Sequence, residues 1–196
     1  PYTGYSFFNA IYNRDFNSSV EARQAWLAKF KAHGVNVLRF WNQWDNRRGF
    51  ADTCPECNMI APDGSLRMTH VASLKAILDD ARKAGIAVEL ALFAQESWRD
   101  GVRLPDAAMD QGVRALTREL KPWRNLTLQI WNEFDYRTVE LVKIIKAEDP
   151  ERLVTNSPGF GGVLTGQNNQ ENLLDYLSPH TSRQTQTNGK TWLVAP

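Results

Sequence analysis

Short apolar runs alternate with longer amphipathic stretches along the chain. Each run has the length of a buried strand and is too short to be read as a helix. The runs cover residues 7–12, 35–41, 86–93, 126–131, 152–156 and 176–180. This pattern predicts six strands.

Between these strands, apolar residues recur at helical spacing and polar or glycine residues mark the ends. Serine and threonine favour helix starts, glycine favours helix ends, and proline disfavours a helix at the residue before it. The predicted helices are bounded by Ser18 or Ser19 and Gly34, by Thr69 and Gly85, by Asp106 and Lys121, and by Val139 and Asp149.

Strands that alternate with helices form a parallel sheet, which is either closed as a barrel or open and doubly wound. No glycine-rich phosphate loop follows any predicted strand, and the Gly-Phe-Gly-Gly segment at 159–162 has neither nucleotide-binding spacing. The barrel is therefore favoured. We predict an α/β fold with one domain, 1–196, built as an incomplete TIM (β/α)8-type barrel with about six βα units.

The fourth predicted strand ends abruptly in Trp131, Asn132 and Glu133. A (β/α) barrel places its chemistry at the carboxyl ends of its strands, so Glu133 is a candidate general acid/base and Asn132 a candidate partner for a sugar hydroxyl. The alternative is that these two residues cap the helix that begins near Tyr136, because amides and carboxylates are favoured at helix starts. A tryptophan directly before Asn-Glu favours the functional interpretation.

Other predicted strand ends carry similar chemistry. Donors, acceptors and indole faces are what a polyhydroxylated ring requires. The further candidates for substrate binding are Arg39, Trp41 and Trp44 after the second strand, Glu96 and Trp98 after the third, and His180 after the sixth. Each also has a structural interpretation, since an arginine can hold an internal carboxylate, a histidine can be a core residue and tryptophans can simply pack.

Composition and charge exclude several classes of partner. The chain has 23 basic and 22 acidic residues, a formal net charge of +1 and no run of like charges. Neither nucleic acid nor an anionic membrane is therefore expected as a partner. No apolar stretch has the length that a membrane span needs.

The two cysteines, Cys54 and Cys57, form a Cys-Pro-Glu-Cys segment. A local disulfide, free thiols and half of a metal site are all compatible with this spacing. The nearest histidines, His33 and His70, match no familiar zinc pattern. We expect a disulfide or free thiols, and the sequence implies no metal or other cofactor.

Taken together, three segments resemble the retaining β-glycosidases of the large (β/α)8 glycoside hydrolase clan that contains family 5 cellulases and mannanases. They are the Gly-Val-Asn-Val-Leu-Arg-Phe segment at 34–40, Trp-Asn-Glu at 131–133 and residues 176–180. The resemblance implies a cellulase-like endo-β-glycanase that acts on oligo- or polysaccharide. It also implies that Glu133 is the acid/base, that Asn132 contacts the hydroxyl beside the reacting carbon, and that Arg39 and His180 brace the site. A glycosidase with a disulfide would be secreted or periplasmic.

The sequence departs from this clan in its second carboxylate. Retaining hydrolysis needs two carboxylates about 5 Å apart, and in the clan the nucleophile is a glutamate on the seventh strand. No Asp or Glu follows Asp175 in this chain. Glu96 is the better substitute, in which case a wider separation would favour inversion, whereas Asp135 is expected to cap the following helix.

Several alternatives remain at this stage. The chain is either part of a longer enzyme or a shortened protein, and in the second case we expect a homodimer that covers the open barrel edge. The main functional alternative is a catalytically inactive carbohydrate-binding barrel. A lyase or aldolase is weakened because no lysine stands at a predicted strand end to form a Schiff base.

Overall fold

The structure, a computed structural model, describes residues 2–46, 48–158, 170 and 172–178. These residues form one parallel five-stranded sheet whose strands lie side by side in chain order. The strands are β1 (Gly4–Ser6), β2 (Val37–Trp41), β3 (Ala87–Ala94), β4 (Leu126–Asn132) and β5 (Val154–Ser157). The order follows from βα crossovers that place each strand beside the preceding one.

Helices connect the strands and cover the sheet. They are α1 (Val20–Ala32), α2 (Met68–Lys83), α3 (Gln95–Arg99), α4 (Asp106–Leu120) and α5 (Thr138–Glu148). Ser19 caps α1 as predicted, because its side chain accepts a hydrogen bond from the backbone N–H of Ala22. The predicted cap at Thr69 is wrong, since α2 begins at Met68 after Arg67. None of the described helices combines the length and apolarity that crossing a bilayer requires.

The strand register separates the two faces of the sheet. Arg39 is opposite Glu89, and Glu89 is opposite Thr127, so these three residues share one face. We call this the inner face. The residues that alternate with them along the strands, such as Leu38 and Val88, lie on the opposite face and are apolar and fully buried. Polar groups are thus concentrated on the inner face.

Two predicted strands differ from the structure. The first strand is Gly4–Ser6, whereas residues 8–12 form turns. Phe7 and Ile11 are buried, so the apolar pattern there records burial in the core and not an extended backbone. Of the predicted sixth strand, residues 176–178 pair in no described ladder, and His180 lies outside the described residues.

Residues 172–178 nevertheless lie along the free edge of β5. The backbone N–H of Asp175 donates to the carbonyl oxygen of Val154 at 2.9 Å, and the Thr155 hydroxyl donates to the carbonyl oxygen of Tyr176 at 2.8 Å. This segment therefore occupies the side of β5 where the next strand of a barrel would be.

Candidate active site

Arg39 is the centre of a polar cluster on the inner face. Its Nε donates to Gln129 Oε1 at 2.8 Å and lies 3.2 Å from Glu89 Oε1, and its Nη2 donates to Asn132 Oδ1 at 2.9 Å. Burial lowers the pKa of Arg39, whereas the carboxylates of Glu89, Glu96 and Glu133 act in the opposite direction. The guanidinium is thus paired with Glu89 and is also stabilised by the charges of Glu96 and Glu133.

Asn132, the last residue of β4, links this cluster to Glu96. Its Oδ1 accepts from Arg39 and its Nδ2 donates to Glu96 Oε2 at 3.2 Å. An amide placed between a cation and a carboxylate has only one favourable orientation, with oxygen toward the cation. The carboxyl ends of β3 and β4 are therefore joined by a fixed side chain.

Glu133 follows β4 directly and has φ of 56°, in the left-handed region. A glutamate seldom adopts this conformation, and such residues persist only where the surrounding structure holds them, often at functional sites. Helix α5 begins at Thr138 with Arg137 as its N-cap. Neither the pair Asn132 and Glu133 nor Asp135 occupies the capping position, so the capping interpretation and the predicted cap at Asp135 are wrong.

An aromatic cluster supports the loop that carries Glu133. Trp131 is 1% exposed and its ring packs against Phe93, Trp98 and Phe134 at centroid distances of 5.0, 5.7 and 5.0 Å. Its indole N–H donates to the carbonyl oxygen of Tyr136 at 2.7 Å. Trp131 therefore fixes the start and the end of the loop.

The predicted sugar platforms differ in accessibility. Trp41 and Trp44 are each only 5% exposed, so a sugar would find little of either ring. They belong to a row of rings, Phe8, Trp41, Trp44 and Phe50, with successive centroids 4.7, 5.7 and 5.2 Å apart. We call this the aromatic row. Its outer member, Phe50, is 40% exposed.

Trp98, the third predicted platform, is partly buried beside the loop that carries Glu133. Tyr136 and Phe134 contact its ring at centroid distances of 4.8 and 5.2 Å, and the Arg103 guanidinium lies over the ring at 4.8 Å. A sugar that stacked on this face would have to displace Arg103. The roles of the three tryptophans stay predictions.

The loop between β2 and α2 is held against α3 by buried polar groups. Asp45 is 3% exposed and accepts from the Ser97 hydroxyl at 2.7 Å. Burial raises the pKa of Asp45. Cys54 and Cys57 form a disulfide in the same loop, which settles the cysteine question in favour of the first alternative. In the described part of the chain, no group of three or more His, Cys, Asp or Glu is arranged to hold a metal ion.

Sequence reasoning missed several residues that shape the site. Glu89, Gln129 and Tyr176 complete the inner-face cluster, and Asn156 accepts from the backbone N–H of Trp131 at 2.8 Å. The alternation of polar residues with apolar ones in β3 and β4 was the available signal for Glu89 and Gln129. A cavity of about 330 Å³ opens on this face, lined in part by Glu89 and Gln129.

Comparisons with known proteins agree with this architecture. No protein-family model and no curated protein matches the chain. Solved structures do match. A glycoside hydrolase family 5 from Bacteroides vulgatus is 17% identical with a TM-score of 0.58, covering 81% of this chain and 36% of that one. A β-1,4-D-mannanase from Cryptopygus antarcticus is 16% identical with a TM-score of 0.57, covering 92% and 65%. A Pseudomonas stutzeri endoglucanase is 18% identical with a TM-score of 0.52, covering 68% and 42%.

At these identities the likeness concerns the fold. The predicted fold class is confirmed: the described residues form five consecutive strands of the TIM-barrel fold found in family 5 glycoside hydrolases, cellulases and mannanases. It spans 36% to 65% of the length of the three matched chains.

Proposed function

We propose that this chain is a glycoside hydrolase domain that cleaves β-linked polysaccharide as an endo-β-glycanase, with Glu133 as general acid/base. The observation that carries the proposal is the strained position of Glu133 at the carboxyl end of β4, with φ of 56°. It follows Asn132, whose amide Arg39 and Glu96 orient. Barrel enzymes place their chemistry at this edge.

In this proposal, Glu133 protonates the glycosidic oxygen while the bond to the anomeric carbon breaks. The Asn132 amide lies beside the sugar hydroxyl next to that carbon. Glu96 is the described carboxylate that its hydrogen bond to Asn132 places at the same edge. If Glu96 takes a proton from a water that attacks the anomeric carbon on the face opposite the leaving group, this single displacement inverts the anomeric configuration.

The sugar chain would extend from this edge across Phe50. The Arg48 guanidinium pairs at 2.8 Å with Asp100, the residue that follows α3. The segment that carries Phe50 is thus held against the helix that carries Glu96. One face of the Phe50 ring stacks on Trp44 at an interplanar angle of 20°. The opposite face can receive the C–H face of a pyranose.

The test is hydrolysis of a panel of β-linked glucans, mannans and aryl glycosides. We expect the wild type to release reducing ends and Glu133→Gln to lose roughly a hundredfold or more in kcat. Glu119→Gln is the matched control, because Glu119 is a partly exposed carboxylate on α4 that pairs with Lys75. Loss of turnover in Glu96→Gln tests the role of the second carboxylate. Proton NMR of the anomer that the wild type releases first tests whether the configuration inverts.

Three other outcomes would contradict the proposal in part or as a whole. Oligosaccharide binding without turnover by the wild type would refute the hydrolase and support the carbohydrate-binding barrel. An equal loss of kcat in the Glu133 and Glu119 variants would refute the role of Glu133. If the wild type shows no binding and no turnover, the proposal as a whole is refuted.

Partners and location belong to the same proposal. The partner is an oligo- or polysaccharide, and the protein is secreted or periplasmic, which the disulfide between Cys54 and Cys57 supports. If the chain is a shortened protein, a homodimer would cover β1, which is an edge strand among the described residues and where Tyr5 is 53% exposed. Sedimentation velocity at rising concentration tests the dimer, and a purely monomeric profile would refute it. Recovery of the native protein from the cytoplasm with free thiols would refute the location.

A further inference from the structure

We propose that Glu89 is a positioning residue for the site: together with Tyr176, it orients Arg39 and thereby fixes the amide of Asn132 beside Glu96. The proposed hydrolase gives this arrangement its catalytic consequence, so that part of the inference rests on the proposed function. The geometric part concerns Asn132 alone and can be tested without turnover.

Both oxygens of Glu89 are engaged. Glu89 is the third residue of β3 and is 5% exposed. Its Oε1 lies 3.2 Å from Arg39 Nε, and its Oε2 accepts from the Tyr176 hydroxyl at 2.7 Å. Burial and the charge of Glu89 raise the pKa of Tyr176, so this hydroxyl keeps its proton. The Thr127 hydroxyl lies 3.0 Å from the Tyr176 oxygen on the other side.

Arg39 carries this constraint toward the edge of the sheet. A guanidinium is planar and its donors point in fixed directions. Glu89 and Gln129 hold the Nε side of the group, and this determines where Nη2 points. Nη2 donates to Asn132 Oδ1 at 2.9 Å. The side chains of Tyr176, Glu89, Arg39, Asn132 and Glu96 therefore form one continuous hydrogen-bonded path.

Glu89 lies away from the edge of the sheet that carries Glu96 and Glu133. It precedes Glu96 by seven residues, and it precedes Ala94, the end of β3, by five. A buried ion pair contributes little to stability compared with well-packed apolar residues. The ion pair with Glu89 instead orients the Arg39 guanidinium. Without the Glu89 carboxylate, Arg39 could turn toward Glu96 or Glu133 and lose its hydrogen bond to Asn132.

The variant Glu89→Gln keeps the shape of the side chain and removes its charge. The control is Asp80→Asn, since Asp80 is also 5% exposed and accepts from Arg23 Nε at 3.0 Å, between α1 and α2. Both variants neutralise a buried carboxylate paired with an arginine. The readout is the side-chain amide resonance of Asn132 in a proton–nitrogen NMR spectrum, assigned by its loss in Asn132→Asp.

We expect Glu89→Gln to shift the Asn132 amide resonances and Asp80→Asn to leave them in place. Tyr176→Phe removes one hydrogen bond to Glu89 and should shift them in the same direction by less. The variant Tyr176→Phe provides a second test of the proposal if Glu89→Gln does not fold. In an active enzyme, Glu89→Gln should lower kcat by about tenfold to a hundredfold with little change in KM.

Unchanged Asn132 resonances in both Glu89→Gln and Tyr176→Phe would overturn the proposal, as would an equal shift in Asp80→Asn. A wild type that neither binds nor cleaves glycans would refute the proposed function alone. In that case, the NMR result still decides whether Glu89 positions Asn132.

Discussion

Replacing Phe50 with alanine would remove the exposed ring at the end of the aromatic row. Phe50 is 40% exposed, while its inner neighbour Trp44 is 5% exposed. If a pyranose stacks on the free face of Phe50, this substitution removes the platform. Trp26→Ala is the matched control, because Trp26 is 39% exposed and stacks on Phe7 at an interplanar angle of 9°, but lies on α1.

The size of the effect follows from the exposed area. A phenylalanine buries about 200 Å² when fully covered, so the exposed part of Phe50 amounts to about 80 Å². At about 25 cal/mol per Å² its complete covering contributes at most ~2 kcal/mol, or roughly thirtyfold in Kd. A sugar covers only part of that area, so we expect a loss of about threefold to thirtyfold.

Isothermal titration with hexasaccharides of β-1,4-linked glucose and mannose measures this loss. Binding is best measured in the Glu133→Gln background, where the ligand stays intact. Thermal denaturation should accompany the titration, because Phe50→Ala also loses its contact with Trp44, at a cost of about 1 kcal/mol. An unchanged Kd for Phe50→Ala, or an equal loss for Trp26→Ala, would refute the reasoning.

Two further predictions concern stability. Arg152→Met should lower the free energy of unfolding by about 3 kcal/mol. The side chain of Arg152 is 1% exposed, pairs with Asp149 and donates to four backbone carbonyl groups from the end of α4 to the start of β4. Urea denaturation measures this free energy, and a loss below about 1 kcal/mol would contradict the prediction. Burial raises the pKa of Asp45 above its ordinary value, so the folded protein holds this proton more tightly than the unfolded chain. The protonated Asp45 side chain therefore contributes to stability at low pH, and this contribution is lost as pH rises through the pKa that Asp45 has in the folded protein. The stability of the wild type relative to Asp45→Asn should therefore fall as pH rises from the ordinary aspartate pKa, about 4, through the higher pKa of the folded protein. A difference in stability that does not change with pH would contradict this.

Much of the fold could be predicted from the sequence because buried strands leave continuous apolar runs. β2, β3, β4 and β5 all overlap predicted strands. β1 was missed because Gly4, Tyr5 and Ser6 are exposed and carry no such run. The five-residue helix α3 was missed because it is too short to show a helical period.

The candidate site was predictable where polar residues stand at the end of an apolar run, but the contacts between those residues were not. Asn132 and Glu133 could be found from the polar end of one strand. Arg39 was given two interpretations, contact with an internal carboxylate and bracing of the site. The structure shows the contact with Glu89 and a further one with Asn132, and the bracing role stays a prediction. The partner Gln129 is 90 residues away from Arg39. A contact over that separation depends on register, which local patterns do not specify.

The order of the strands also bears on how the chain acquires its structure. Every described pairing joins strands that are consecutive in sequence, from Gly4 opposite Val37 to Leu128 opposite Val154. During synthesis, each new strand therefore meets an edge that has already emerged from the ribosome, and the sheet can grow in one direction. Stalled nascent chains from which β3 has emerged should already protect the amides of β2 from hydrogen exchange, whereas protection that arises only once β5 has emerged would indicate a single concerted step.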